Sequence, residues 1–239
     1  MQLTIDTSSQ KIGIALSNTD KIVQEYMWHS QENHTRELMP GIMGLLECHN
    51  VTIHAIDCIF VAKGPGSFNG LRVGMSTAKG LALALNIPLI GISTLAAEAY
   101  LHAGSDLPLC PLHEAGHGEV AAALFQMVKE EWQQLQEEHI TTIDQLPSVI
   151  GNNVTFCGEI TTALAAEIKN VFGEQANIFP LPDNICRASL IAQLGLKRLA
   201  EKDFDNASTI QPLYLRRPPI TRPKADKRII MQDSVTDEY

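Results

Sequence analysis

Three short β-type runs open the chain, Leu3 to Thr7, Lys11 to Ser17 and Lys21 to Trp28, with only the turn-forming stretches "SSQ" and "NTD" between them. Connections that short join antiparallel neighbours, so the start of the chain is committed to a three-stranded meander. An amphipathic segment follows from about Asn33 to Cys48, with Asn33 as the expected N-cap and Pro40 expected to kink it or leave its first part irregular. Next come a strand, Ile56 to Gly64, the glycine-rich loop "GPGSFNG", a helix from about Gly70 to Leu85, a strand in "IPLIGIS", and a helix from Thr94 to His102.

That order, three strands, helix, strand, helix, then a further strand and helix, is that of a ribonuclease-H-like lobe. Such lobes occur in pairs in the actin-like ATPases, and a second, weaker copy can be traced. Apolar runs near Leu107 to Leu112, Glu119 to Met127 and Lys129 to Leu135 would be its meander, followed by helical segments near Thr142 to Leu146, a strand Val154 to Cys157, a helix Thr161 to Phe172, a strand Ile178 to Leu181 and a helix Ala188 to Glu201. The stretch "VKEEWQQLQEEH" has strong helix propensity, yet the repeat requires a strand there. The expected architecture is α/β, with an actin-like lobe over residues 1–104, a smaller one over 105–215, and a basic, Pro-rich tail over 216–239. That tail holds 6 of the chain's 18 positive charges, from Arg216 to Arg228, and Pro218, Pro219 and Pro223 exclude regular structure.

Composition narrows the setting. The chain has 239 residues, 45% of them hydrophobic, enough for one sizeable core or two small ones. Five dispersed cysteines, none in a C-x-x-C pair, argue for reduced thiols and a cytoplasmic location. No basic region followed by an apolar run opens the sequence, so no secretory signal is expected. The uncharged stretch from Gly80 to Ala97 is interrupted by Asn86, Pro88 and Gly91, which reads as helix, strand and helix and not as a membrane span. A net charge of −9 disfavours non-specific nucleic-acid binding by the body of the protein, leaving only the basic tail as an exception.

The stretch "KGPGSFNGLRVGMSTAKGLALALNIPLIGISTLAA", Lys63 to Ala97, resembles the TsaB family, also called the YeaZ type. The hallmark of that family is a Gly-Pro-Gly-Ser-Phe-Thr-Gly-Leu/Val-Arg loop and helix, from which Asn69 is the clear departure here. "LTIDTSSQKIGIALS", "HTRELMPGI" and "PLYLRRP" resemble the family at the expected places, so the likeness extends to Arg217. The resemblance implies a two-lobed actin-like fold and a role in making N6-threonylcarbamoyladenosine at position 37 of tRNAs that read ANN codons. The catalytic relative, TsaD, has the same loop and helix but carries Asn-His-x-x-x-His after the next strand, two histidines that hold its metal. This sequence reads Ser93-Thr94-Leu95-Ala96-Ala97-Glu98 at the matching positions. The resemblance therefore implies the non-catalytic sibling, without cofactor, which binds a TsaD-type subunit, helps recruit a TsaE-type ATPase and meets tRNA through the complex. A homodimer through the same helices is a further expectation.

Gly70, Gly74, Ala78 and Ala82 recur every four residues and give one helix a smooth ridge on which another helix can approach closely. Two uses are open: packing inward on its own sheet, or a subunit interface shared with Leu38, Met39, Ile42, Leu45 and Leu46 of the first helix. The apolar arc of that first helix is wider than the ~100° a single buried face needs, which favours the interface. Asp6-Thr7-Ser8 and the loop residues Gly64, Gly66 and Ser67 resemble the phosphate-approaching hairpin and anion-binding turn of actin-like ATPases. No Walker-type G-K-S/T follows, so they are expected to be vestigial, Asp6 bonding to its own turn.

One further pattern competes. His113-Glu114-Ala115-Gly116-His117 is a literal H-E-x-x-H, in which two histidines one helical turn apart share a zinc ion and the glutamate polarises its water. A zinc metallopeptidase is the alternative function it offers. Pro108, Pro111, Gly116 and Gly118 oppose the required helix, and "GEVAAALF" reads as a strand. In the family this place resembles Asp-Ala-Arg-Arg-Gly-Glu-Val, with Gly116 and His117 where two arginines are usual.

Overall fold

The computed structural model describes residues 1–216 apart from 20, 32 and 175. The expected tail thus lies outside the described residues except for Arg216, whose guanidinium pairs with Glu119. Strands β1 (Gln2–Asp6), β2 (Lys11–Ser17) and β3 (Ile22–His29) form the meander. After α1 (His34–Cys48) come β4 (Cys58–Gly64), α2 (Phe68–Leu85), β5 (Leu89–Ser93) and α3 (Thr94–Tyr100). The second copy is β6 (Leu109–Gly116), β7 (Glu119–Val128), β8 (Glu131–Thr141), the short α4 (Leu146–Ile150), β9 (Thr155–Gly158), α5 (Thr162–Phe172), β10 (Asn177–Pro180) and α6 (Arg187–Ala200).

The two five-stranded sheets run β3-β2-β1-β4-β5 and β8-β7-β6-β9-β10. In each, the first strand is antiparallel to the second and parallel to the fourth, so one sheet repeats the other strand for strand. This is the pair of ribonuclease-H-like lobes of an actin-like ATPase fold. Alternation along β4 divides the first core into two layers: Ile59 and Val61 face α1 and α2, while Phe60 and Ala62 face α6. Gly195 of α6 lies so close that a Cβ there would stand 2.5 Å from Cγ of Phe60.

In sequence α6 lies beyond residue 105, and in space it packs on the first sheet. Helix α3 touches both sheets, with Leu95 and Ala99 buried against Leu109, Ala121 and Phe125 of the second. The helix-prone stretch around Trp132 is a strand, because Trp132 stacks on Phe125 at 5.6 Å and meets the edge of Tyr100 at 5.3 Å. Those contacts override local propensity. Pro40 stands inside an unbroken α1 and not at the irregular start expected for it, and Asn33 forms no side-chain cap bond. Among the described residues no helix is long and apolar enough to cross a membrane.

The small-residue ridge of α2 is turned inward. Gly70 and Gly74 are pressed on Thr7, and Ala78 and Ala82 are 0% and 1% exposed in the first core. Leu38, Ile42, Leu45 and Leu46 of α1 are buried beside them. Of the residues expected at an interface, Met39 alone is at the surface, where Met43 of α1 and Leu83 of α2 are also exposed. The excess apolar arc of α1 is thus real and is carried by its two methionines. On α2 the outward small positions are Ser76, Gly80 and Ala84, two places along from the buried ridge.

Candidate functional site

A cleft of about 540 Å³ lies between the lobes, lined from the first by Asp6, Ser8 and Lys11 and from the second by Glu114, Glu159 and Thr161. At its floor five ionisable side chains meet although they are far apart in sequence. Asp6 ends β1, Glu98 lies in α3, His113 in β6, Glu159 just after β9, and Arg187 begins α6. The Arg187 guanidinium donates from Nε to Asp6 Oδ2 at 2.7 Å and from Nη1 to Glu159 Oε1 at 2.9 Å and to Glu98 Oε1. His113 Nε2 lies 2.7 and 2.8 Å from the two Glu98 oxygens. Only Glu159 reaches solvent, at 44% side-chain exposure.

Burial sets the electrostatics of this cluster. Desolvation alone would lower the pKa of His113, but the adjoining Glu98 carboxylate outweighs it and raises it above the ordinary histidine value. Desolvation would raise the pKa of Glu159, yet His113 and Arg187 bring it below the usual carboxylate value. Arg187 is likewise raised, its loss of hydration being outweighed by Asp6, Glu98 and Glu159.

The hairpin and loop expected to be a vestigial nucleotide site lie against each other. Asp6 accepts from the Ser8 backbone N–H at 2.9 Å, Thr7 Oγ1 donates to the Gly70 carbonyl at 2.7 Å, and the Ser67 N–H donates to the Ser8 carbonyl at 2.6 Å. A Cβ at Gly66 or Gly70 would collide with the Ser8 or Thr7 carbonyl oxygen. The hairpin rests on the loop, while Gly66 and Ser67 stay exposed and line the cleft together with Ser8, and the second carboxylate oxygen of Asp6 is taken by Arg187. Gly64 meets the same crowding from Leu71 and carries a positive φ of 104°.

Thr94 and Glu98 are both engaged internally: Thr94 Oγ1 donates to the Pro65 carbonyl, and Glu98 holds Arg187 and His113. The H-E-x-x-H pattern does not form a zinc site. His113 lies in a strand and His117 in the following turn with φ 58°, and an extended chain separates residues four apart by about 13 Å. Glu114 points outward and accepts from Thr161 Oγ1 at 2.8 Å. The zinc-peptidase alternative fails on this geometry, although His113 itself belongs to the cluster. All five cysteines are free; burial raises the thiol pKa of Cys58 to about 12 and of Cys186 to about 11, which makes both poor nucleophiles.

Sequence reasoning named Asp6, Glu98 and His113 for separate reasons and did not name Glu159 or Arg187. A signal was present for Arg187: a cation in the first turn of a helix opposes the helix dipole and needs a compensating partner.

Comparisons with known proteins agree with this architecture. A family model described as "TsaD: tRNA N6-adenosine threonylcarbamoyltransferase" matches residues 28–223. The "tRNA threonylcarbamoyladenosine biosynthesis protein TsaB" of Bacillus subtilis is 31% identical over 217 residues, covering 90% of this chain and 93% of the relative. The protein of the same name from Escherichia coli is 34% identical over 127 residues, 52% of this chain and 54% of the relative. Among solved structures, YeaZ from Pseudomonas aeruginosa aligns with a TM-score of 0.73 at 20% identity, covering 89% of this chain and 99% of that one.

Proposed function

The chain belongs to the TsaB family of tRNA threonylcarbamoyladenosine biosynthesis, and from that premise we propose that it is a non-catalytic scaffold subunit. Its partner is a TsaD-type catalytic subunit, and the pair recruits a TsaE-type ATPase in the cytoplasm. The product is N6-threonylcarbamoyladenosine at position 37 of tRNAs reading ANN codons, and the chain meets tRNA through the complex. We place the division between its two units at residues 104 and 105, with α6 returning from the second to pack on the first sheet.

One observation carries the scaffold role. The residues in place of the TsaD-type histidine pair, Thr94 and Glu98, are tied up inside the protein, and Asp6 of the hairpin that would approach a phosphate is held by Ser8 and Arg187. Apolar side chains are exposed on both α1 and α2. Met39 and Met43 of α1 and Leu83 of α2 are 38%, 48% and 58% exposed, and α2 also exposes Ser76 and Gly80, whose small size lets a partner helix approach. We assign the partner contact to these exposed residues in place of the buried ridge of Gly70, Gly74, Ala78 and Ala82; a homodimer of the isolated chain would use the same residues.

Mixing the protein with the TsaD-type subunit of its own organism, followed by size-exclusion chromatography with light scattering, tests the proposal. A one-to-one complex that Met43→Asp weakens is expected. If the two proteins elute separately at every concentration tried, the scaffold role is wrong.

A further inference from the structure

Arg187 is the first residue of α6, at the positive end of that helix's dipole, where a cation is unfavourable without compensation. Three carboxylates from three other elements supply it, and they come from both sides of the cleft. Asp6 and Glu98 approach from β1 and α3 of the first half of the chain, and Glu159 from just after β9 in the second. The Arg187 side chain is 5% exposed and that of Glu98 0%, so the charges face one another with little water between them.

A second observation concerns the space itself. Glu98, His113 and Glu159 each bring one ligand atom to within 4.8 Å of the others, a mixed imidazole and carboxylate set that suits a divalent cation such as Mn²⁺ or Zn²⁺. Gly158 leaves the Glu98 carboxylate its place: its φ is 100°, and a Cβ there would stand 2.7 Å from Glu98 Oε2. Yet Oε1 of Glu98 and Oε1 of Glu159 are both bonded to Nη1 of Arg187. The cluster has the donors of a metal site, and a single guanidinium nitrogen holds two of its three members.

We propose that Arg187 is a built-in cation that takes the place of a divalent ion in an acidic site between the lobes, tying them across the cleft through Asp6, Glu98 and Glu159. A guanidinium stays charged at all working pH values and donates in several directions within one plane, so the tie is independent of free metal. Lobe closure is then a fixed property of the fold. The inference concerns the cleft and stands apart from the partner face on α1 and α2.

Thermal melting of the full-length protein with added Mn²⁺ and with a chelator tests it, with titration calorimetry of Mn²⁺ as a direct readout. The wild-type protein is expected to bind no Mn²⁺ and to melt at the same temperature in both solutions. Arg187→Ala is expected to melt lower and to be raised again by Mn²⁺ in a saturable way, a rescue lost when Glu98→Gln is added. A merely structural arginine would give the lower melting temperature without the rescue, and that outcome overturns the proposal. Stoichiometric Mn²⁺ binding by the wild type, abolished by Glu98→Gln, also overturns it. Arg187→Lys guards against an alanine variant that fails to fold. Its single ammonium cannot span the three carboxylates, so it is expected to fold and melt below the wild type; a wild-type melting temperature for it would remove the bridge.

Discussion

The first hairpins of the two lobes occupy equivalent places, β1 with β2 in one sheet and β6 with β7 in the other, and they use glycine for different physical reasons. In the first lobe the hairpin at Thr7 and Ser8 lies directly on the loop and helix that follow β4, and Gly66, Gly70 and Gly74 are there because no Cβ fits. In the second lobe the turn holds Gly116 at φ 77° and Gly118 at φ 74°, with open space where a Cβ would be. Glycine serves close approach in one lobe and backbone conformation in the other. The duplicated frame has therefore kept its strand order while the two hairpins diverged: one is packed shut, the other is a free turn. The helices after the fourth strands differ in the same sense, 18 residues for α2 against 11 for α5.

The largest expected effect comes from forcing a charge into the closed side. Ala78 is fully buried in the first core, so Ala78→Arg must place a guanidinium among Leu3, Ile5 and Ile42 with no partner. We expect a loss above about 4 kcal/mol, enough to unfold the lobe, seen as loss of the cooperative circular-dichroism melt. Gly70→Ala is next. Its methyl group meets the Thr7 carbonyl, a backbone atom that cannot rotate away, and a cost of about 3 kcal/mol is expected in urea unfolding. The counterpart Gly118→Ala meets no atom and bears only the left-handed strain, about 1 kcal/mol. Equal costs for the two would erase the distinction between the hairpins.

A pH effect joins the lobes. The pKa of His113 is raised in the folded protein by Glu98, against the effect of its own burial, with Glu159 also raising it and Arg187 opposing. Its stabilising contribution is therefore fully present below the unfolded histidine value, about 6.5, and is lost as pH rises through the higher folded value. Melting temperatures of the wild type should fall relative to those of His113→Gln as pH increases above about 6.5. Parallel curves would mean that His113 does not gain its proton on folding.

What the sequence made legible follows the range of the interactions involved. The strand and helix order, the loop before α2 and the pairing of lobes depend on local periodicity and turn chemistry, and all are found in the structure. Even β8 was reached through the repeat, against its own propensity. The cluster at Arg187 was not legible, because its partners Asp6 and Glu98 are 181 and 89 residues away and meet only through the fold. The facing of α2 was not legible either. Two stripes of small residues run along it, Gly70-Gly74-Ala78-Ala82 and Ser76-Gly80-Ala84, and packing on Thr7 and the first core decides which is buried.

That ambiguity leads to the substitution with the smallest expected effect on stability. Gly80 is two residues from Ala78 on the same helix, is exposed, and would place a Cβ in open space. Gly80→Arg therefore introduces no clash and replaces a poor helix former by a good one, which should leave the melting temperature unchanged or raise stability by up to about 1 kcal/mol. The same arginine projects a long charged chain from the exposed side of α2 that carries Leu83. On the proposed scaffold role it should abolish the complex with the TsaD-type subunit in size-exclusion chromatography while the free protein stays folded. Ala78→Arg loses both fold and complex, so the pair of variants separates an inward stripe from an outward one on a single helix. A Gly80→Arg protein that melts normally and still forms the complex would move the contact off the α2 face, and Met43→Asp would then tell whether α1 alone provides it.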